Sequence, residues 1–217
     1  MPDTGTVTQG IAQLSIQPTT VQSLTMGKQA DLIVSELHGT GYVKAYGGSM
    51  FMGSNQAVVA TALQTGLTAT ATGGLILSNP LSNNKNLVVR SAAIGLLVAQ
   101  TNASVMGLML AYSPSVAIGG TLTVVASQNC LPQTGGVASG ILYSSASVTL
   151  QSTPILARVI GSFGTGALTT QTSSGIGPVD LQDSIIIQPG AALAFYGTGA
   201  GTASSLLFSY VWSEIAI

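Results

Sequence analysis

Few residues in this chain carry reactive groups, and their spacing limits what they can do. His38 is the sole histidine, in ELHG, one residue before a glycine that stops a helix. Histidine catalysis needs a nucleophile and an orienting acid beside the ring, and spacing alone supplies neither. A cation near a helix C-terminus, where it suits the dipole, is the simpler reading. Cys130 stands alone in QNCLPQTGG. It has no partner for an intrachain disulfide and belongs to no cysteine cluster, so a structural or incidental thiol is expected. Asp180 and Asp183 are the closest carboxylate pair. They lack the further acids of a calcium loop and a comparable acid opposite for glycosidase chemistry. Two solvated acids before a strand are expected. GTGAGT and GSFGTG are glycine-rich, but neither lies between a strand and a helix as a dinucleotide fingerprint must. There is no GxSxG, HExxH or P-loop pattern. No catalytic residue, cofactor or metal is expected.

Binding chemistry has one candidate. The chain closes on FSYVWSEIAI, where Phe208, Tyr210 and the sole tryptophan, Trp212, lie two apart. That period puts three rings on one face of a strand. Rings facing water would form a platform for a sugar or a nucleic-acid base. Their neighbours Leu206, Leu207, Val211, Ile215 and Ile217 make both faces apolar, so a strand anchored in a sandwich or at a subunit contact is expected. Glu214 is in phase with Trp212. It marks where that face meets solvent or pairs with Lys85, Arg90 or Arg158.

Composition bounds the elements that must position these groups. The chain has 217 residues, 46% hydrophobic and only 5% charged, with a net charge of −1. An ordinary soluble domain is about 25% charged. No Asp, Glu, Lys, Arg or His lies between Arg90 and Arg158, nor from Ala45 to Asn84. So neutral a surface protects a free monomer poorly against association, which points to burial between subunits. Five Lys plus Arg cannot build a basic stripe for phosphates or a polybasic membrane patch. Neither nucleic acid nor membrane is an expected partner. MPDTGTVTQG has neither the basic nor the apolar region of a secretory signal. Residues 91 to 112 are uncharged over a bilayer's length. Their centre is polar QTNAS, however, so two strands about a turn are expected.

Residues 1–27 are polar apart from Ile11, Leu14, Ile16, Val21 and Leu24, with Pro18 among them. They read as an extended arm whose spaced apolar residues fill grooves. The remainder, 28–217, reads as one domain. Residues 28–39 carry Ala30, Ile33, Val34 and Leu37 at helical spacing before Gly39. Beyond Gly39 the signals turn to β. The expected strands are Val58–Leu63, Leu75–Leu77, Leu87–Val98, Val105–Tyr112, Leu122–Ala126, Ala146–Leu150, Ile155–Phe163, Ser184–Ile187, Ala192–Tyr196 and Leu206–Ile217, with turn-rich pieces between them. Leu87–Val98 and Val105–Tyr112 are apolar at both parities and should be covered on both faces. In IIIQPGAALAF, Pro189 and Gly190 suit a type II turn, which splays a tight hairpin. The chain should therefore pass there from one sheet to the other. The expected fold is all-β: a jelly-roll-like β-sandwich with an extended N-terminal arm and at most one short helix.

Four stretches together resemble a family. ADLIVSELHGTGYVKAYGGSMFMGSNQ, LILSNPLSNNKNLVVRSAAIG, DLQDSIIIQPGAALAFYGT and FSYVWSEIAI are similar to the opening, hairpin, corner and closing strand of tailed-phage head cement or decoration proteins of jelly-roll type. The likeness runs from about residue 30 to 217 and rests on packing and turn motifs. It implies a non-enzymatic virion protein, made in the host cytoplasm and placed on the capsid surface. It also implies a homotrimer bound to the major capsid protein. The assembly contacts expected on this reading are Ile11, Leu14, Ile16, Val21, Leu24, Phe208, Tyr210 and Trp212. The alternative is a fibre or spike module that recognises a host-surface glycan.

Overall fold

The computed structural model describes residues 40–55, 66–70, 73–96, 103–132, 136–144, 147–163, 176–198 and 206–217. The expected arm, the helix over 28–39 and the strand Val58–Leu63 lie outside them. The chain divides into two compact units, Met1–Val43 and Lys44–Ile217. Of the first, only Thr40–Val43 are described. The chain does not turn to β directly after Gly39. Thr40–Tyr46 form a short helix, α1. Gly48 follows it at φ 70° and donates to the Ala45 carbonyl, while Ser49 donates to that of Lys44. A left-handed glycine of this kind closes a helix without the penalty a Cβ would bring.

The second unit is an all-β sandwich. Its main strands in chain order are β1 Met50–Ser54, β2 Leu75–Ser78, β3 Lys85–Leu96 and β4 Ser104–Tyr112. Short pieces follow: β5 Gly119–Gly120, β6 Val124–Val125, β7 Gln128–Asn129, β8 Ile141–Ser144 and β9 Val148–Thr149. The chain ends with β10 Ile155–Phe163, β11 Ile176–Ile187, β12 Ala191–Gly197 and β13 Leu206–Ala216. One sheet has the order β11-β3-β13-β1-β7, the other β10-β4-β12-β2-β8-β6, and β5 pairs with β9 apart from both. Every pairing is antiparallel. The main strands divide four to a sheet, β1, β3, β11 and β13 in one and β2, β4, β10 and β12 in the other, and the chain changes sheet at each step except from β4 to β10. This is the jelly-roll arrangement.

The interior fills by strand parity. Leu87, Val89, Ile185, Ile187, Phe208, Tyr210 and Trp212 face Leu75, Leu77, Leu108, Leu193 and Phe195 in one buried cluster. A second, smaller core covers the outer face of the six-stranded sheet. There Ile76, Met109, Ala111, Ala192 and Ala194 pack with Tyr143, Val148 and Leu150. This is why β4 is apolar at both parities. Leu108 faces the sandwich and Met109 the outer cluster, both fully buried.

The corner at Pro189–Gly190 carries the chain from β11 in one sheet to β12 in the other. Ala191 donates to the Gln188 carbonyl at 3.0 Å, and Gly190 has φ +83°. A Cβ on Gly190 would lie 2.3 Å from the Ser113 carbonyl oxygen. Asn79 locks the corner to the neighbouring crossing from β2 to β3. Its amide nitrogen donates to the carbonyls of Ile187 and Lys85, at 2.8 Å each, and its amide oxygen accepts from Asn83. Its backbone accepts from Gly190 and donates to Ala191.

Several strand bounds differ from expectation. β11 begins at Ile176 rather than Ser184, because a bulge breaks the hydrophobic pattern within a longer strand. Leu122–Ala126 shrinks to Val124–Val125. β1, β5, β7 and β8 were not expected. Each has five residues or fewer, and β5 (Gly119–Gly120) and β7 (Gln128–Asn129) contain no large apolar side chain to signal a strand.

Candidate functional site

The three closing rings are interior. Phe208, Tyr210 and Trp212 are at most 1% exposed. Phe195 from the facing sheet stacks on Phe208 at 4.5 Å and on Tyr210 at 4.7 Å, and Phe51 of β1 stacks on Trp212 at 6.0 Å. They hold the two sheets of a single chain together. The expectation that they form assembly contacts is therefore corrected: side chains this buried cannot reach a partner, and the same burial removes them as a sugar platform. Ile11, Leu14, Ile16, Val21 and Leu24, the other expected contacts, lie outside the described residues.

Tyr210 is unusual among these rings. Its hydroxyl is buried without a hydrogen-bond partner, and burial holds its pKa well above the ordinary value of 10.

Glu214 continues the ring face and pairs with Lys85, one of the three expected cations. Its side chain is 1% exposed, and Oε2 lies 3.1 Å from Lys85 Nζ. Oε1 accepts from the Ser139 and Gly140 backbone amides, at 2.7 and 2.9 Å, and from Trp212 Nε1 at 3.5 Å. The carboxylate thus pins the segment before β8 onto the closing strand. Gly140 must be small there, since a Cβ would lie 2.7 Å from Leu87 Cδ1 and 3.3 Å from Trp212 Nε1.

The remaining described charges gather at one bulge. Asp180 pairs with Ser91 and Ile185 with Val89, so Leu181–Ser184 oppose Arg90 alone. β13 also skips Arg90, pairing Val211 with Ser91 and Trp212 with Val89. Gln182 and Asp183 adopt φ of 52° and 56°, rare for residues with a Cβ. Asp183 meets Lys44 at 2.9 Å and Arg90 at 3.9 Å. Asp180 accepts from the Gln182 amide, and Arg158 donates to Ser184 Oγ. Asp183 is therefore an ion-paired brace and not a freely solvated acid. Sequence reasoning missed this because Lys44, Arg90 and Asp183 are far apart in the chain. The sole available signal was the scarcity of charge, which makes any pairing of the few charges informative.

The other candidates carry no constellation. Among the described residues no group of three His, Cys, Asp or Glu is placed to hold a metal. Cys130 is half-buried, and burial pushes its thiol above the ordinary value, away from the reactive thiolate. His38 lies outside the described residues. Among the described residues no helix is long and apolar enough to cross a membrane.

Exposed apolar surface is the more informative feature. On the edge strand β10, Ile155, Leu156 and Val159 are 65%, 41% and 54% exposed. Elsewhere Pro80, Leu81, Val116, Leu122, Tyr143 and Gln151 line a groove of about 330 Å³. None of the groove's lining residues is charged. Fold and surface together define the class: a jelly-roll β-sandwich whose described surface is poor in charge and partly apolar. No family model, curated protein or solved structure matches the chain.

Proposed function

We propose that this protein is a non-enzymatic virion component, a cement or decoration protein that binds a phage head and stabilises its shell. The observation that carries the reading is the pairing of an interior fully closed by its own rings with an exterior short of charge. The seven charged residues among those described fall into two groups, Lys85 with Glu214 and the five around the β11 bulge. Apolar side chains on β10 and around the groove are left facing solvent. Contiguous exposed apolar patches mark interaction surfaces, and an uncovered apolar edge strand invites association. A protein built to be covered fits this pattern. The four stretches similar to phage cement proteins supply the particular partner, the major capsid protein, and a homotrimer as the bound form.

The mechanism is mass action on the assembled state. A trimer that bridges neighbouring capsomers binds the mature shell and not its separated parts, so binding stabilises the shell. On this reading residues 1–27 serve as an arm whose spaced apolar residues fill grooves on a neighbouring subunit. Localisation on the capsid surface follows, with no nucleic acid, membrane or cofactor involved. Removing residues 1–27 tests the reading. Attachment to shells is expected to weaken while the sandwich stays folded. Shells that resist heat and osmotic shock equally well with the truncated protein would contradict it. The reading as a fibre or spike module for a host glycan loses its strongest support with the burial of Phe208, Tyr210 and Trp212.

A further inference from the structure

We infer that the side of the sandwich formed by β10 and β11 is the surface through which copies of this chain meet, with Arg158 of one copy opposite Asp180 of the next. β10 is the last strand of the six-stranded sheet and β11 the last of the five-stranded sheet. Arg158 Nη1 on β10 donates to Ser184 Oγ on β11 at 3.2 Å, so both edges open on the same side. Residues 155–159 of β10 are all exposed, which leaves side chains of both parities uncovered. Three of them, Ile155, Leu156 and Val159, are large and apolar. Association covers edges of this kind.

Charge points to the partner. Among the described residues, Lys44 and Arg90 are ion-paired with Asp183, and Lys85 with Glu214. Arg158 and Asp180 are the described charges left outside an ion pair, and both are exposed. They are opposite in sign and stand on the two edge strands of this one side. Such a surface is complementary to a second copy of itself, because each charge can meet its opposite. A partner of a single sign would satisfy one charge and repel the other. The contact can run reciprocally about a two-fold axis or head to tail round a ring, and the homotrimer proposed above takes the ring. Exposed ion pairs add little affinity. The pair therefore sets register and partner, while the apolar side chains of β10 supply the affinity. The inference deepens the assembly reading above and takes from it only that copies associate.

The test uses the full-length chain without shells, so its result is separable from shell binding. Sedimentation equilibrium and native mass spectrometry of the wild-type chain are expected to show an oligomer. Arg158→Asp and Asp180→Arg each set like charges opposite one another, and each is expected to raise the dissociation constant about tenfold or more. The double variant is expected to return it to near the wild-type value. Asp180→Asn keeps an oxygen to accept from the Gln182 amide, and Val159→Asn changes an exposed position. Both are expected to weaken association severalfold. Trp212 emission checks the fold of every variant, and where a charge reversal disturbs it the two milder variants decide. A monomeric wild-type chain overturns the inference. So do single reversals that the double variant does not rescue, or unchanged association in Asp180→Asn and Val159→Asn. If the inference fails while the protein still decorates shells, this contact surface alone is lost.

Discussion

The Asn79 side-chain amide donates to the Ile187 carbonyl at 2.8 Å. This bond joins two places where the chain crosses between sheets, β2 to β3 and β11 to β12. The same nitrogen also serves the Lys85 carbonyl. Asn79→Ala is expected to leave both carbonyls unpaired and cost about 2–3 kcal/mol. Denaturant midpoints, with the slope checked for constancy, measure it.

Glu214 and Lys85 make an uneven pair, because the carboxylate is buried and the ammonium is partly solvated. Glu214→Leu strands the Ser139 and Gly140 amides as well as the cation, and is expected to cost about 3 kcal/mol or more. Lys85→Met removes the half-exposed partner alone and is expected to cost about 1 kcal/mol. Equal losses in thermal unfolding would contradict the view that Glu214 acts chiefly through the backbone amides.

Tyr210 gives a pH dependence with a definite sign. Its folded pKa lies well above 10 because its hydroxyl is buried. In the unfolded chain it ionises near 10. Above that pH the unfolded state releases a proton that the folded state retains, so stability falls as pH rises. Tyr210→Phe is expected to flatten this alkaline loss. The hydroxyl has no partner, so the substitution is also expected to be neutral or stabilising by up to about 1 kcal/mol at pH 7. A loss above that size would reveal a hydrogen bond for the hydroxyl.

Trp212 is fully buried against Phe51. Trp212→Ala is expected to cost about 3–5 kcal/mol. As the sole tryptophan, it should emit at the short wavelengths of a dry environment in the native protein and shift to the red on unfolding. Native emission at long wavelength would place it in water.

How far the sequence could be read depended on the range of each interaction. Parity is local, so the strands β2, β3, β4, β10, β12 and β13 were legible to within a few residues. The crossing at Pro189–Gly190 was legible because its turn type excludes a tight hairpin. The β11 bulge was not. Of its two left-handed residues, Gln182 and Asp183, the second is held by Lys44 and Arg90 from distant parts of the chain. The function of FSYVWSEIAI was half legible: two apolar faces implied an anchor, but periodicity does not tell a core from a subunit contact.

The proposed function places this protein on a phage head. Quantitative mass spectrometry of purified particles tests it most directly, by counting copies relative to the major capsid protein. A copy number that scales with the capsomers of the shell is expected. Absence from particles, or the few copies of a tail or fibre component, would contradict it.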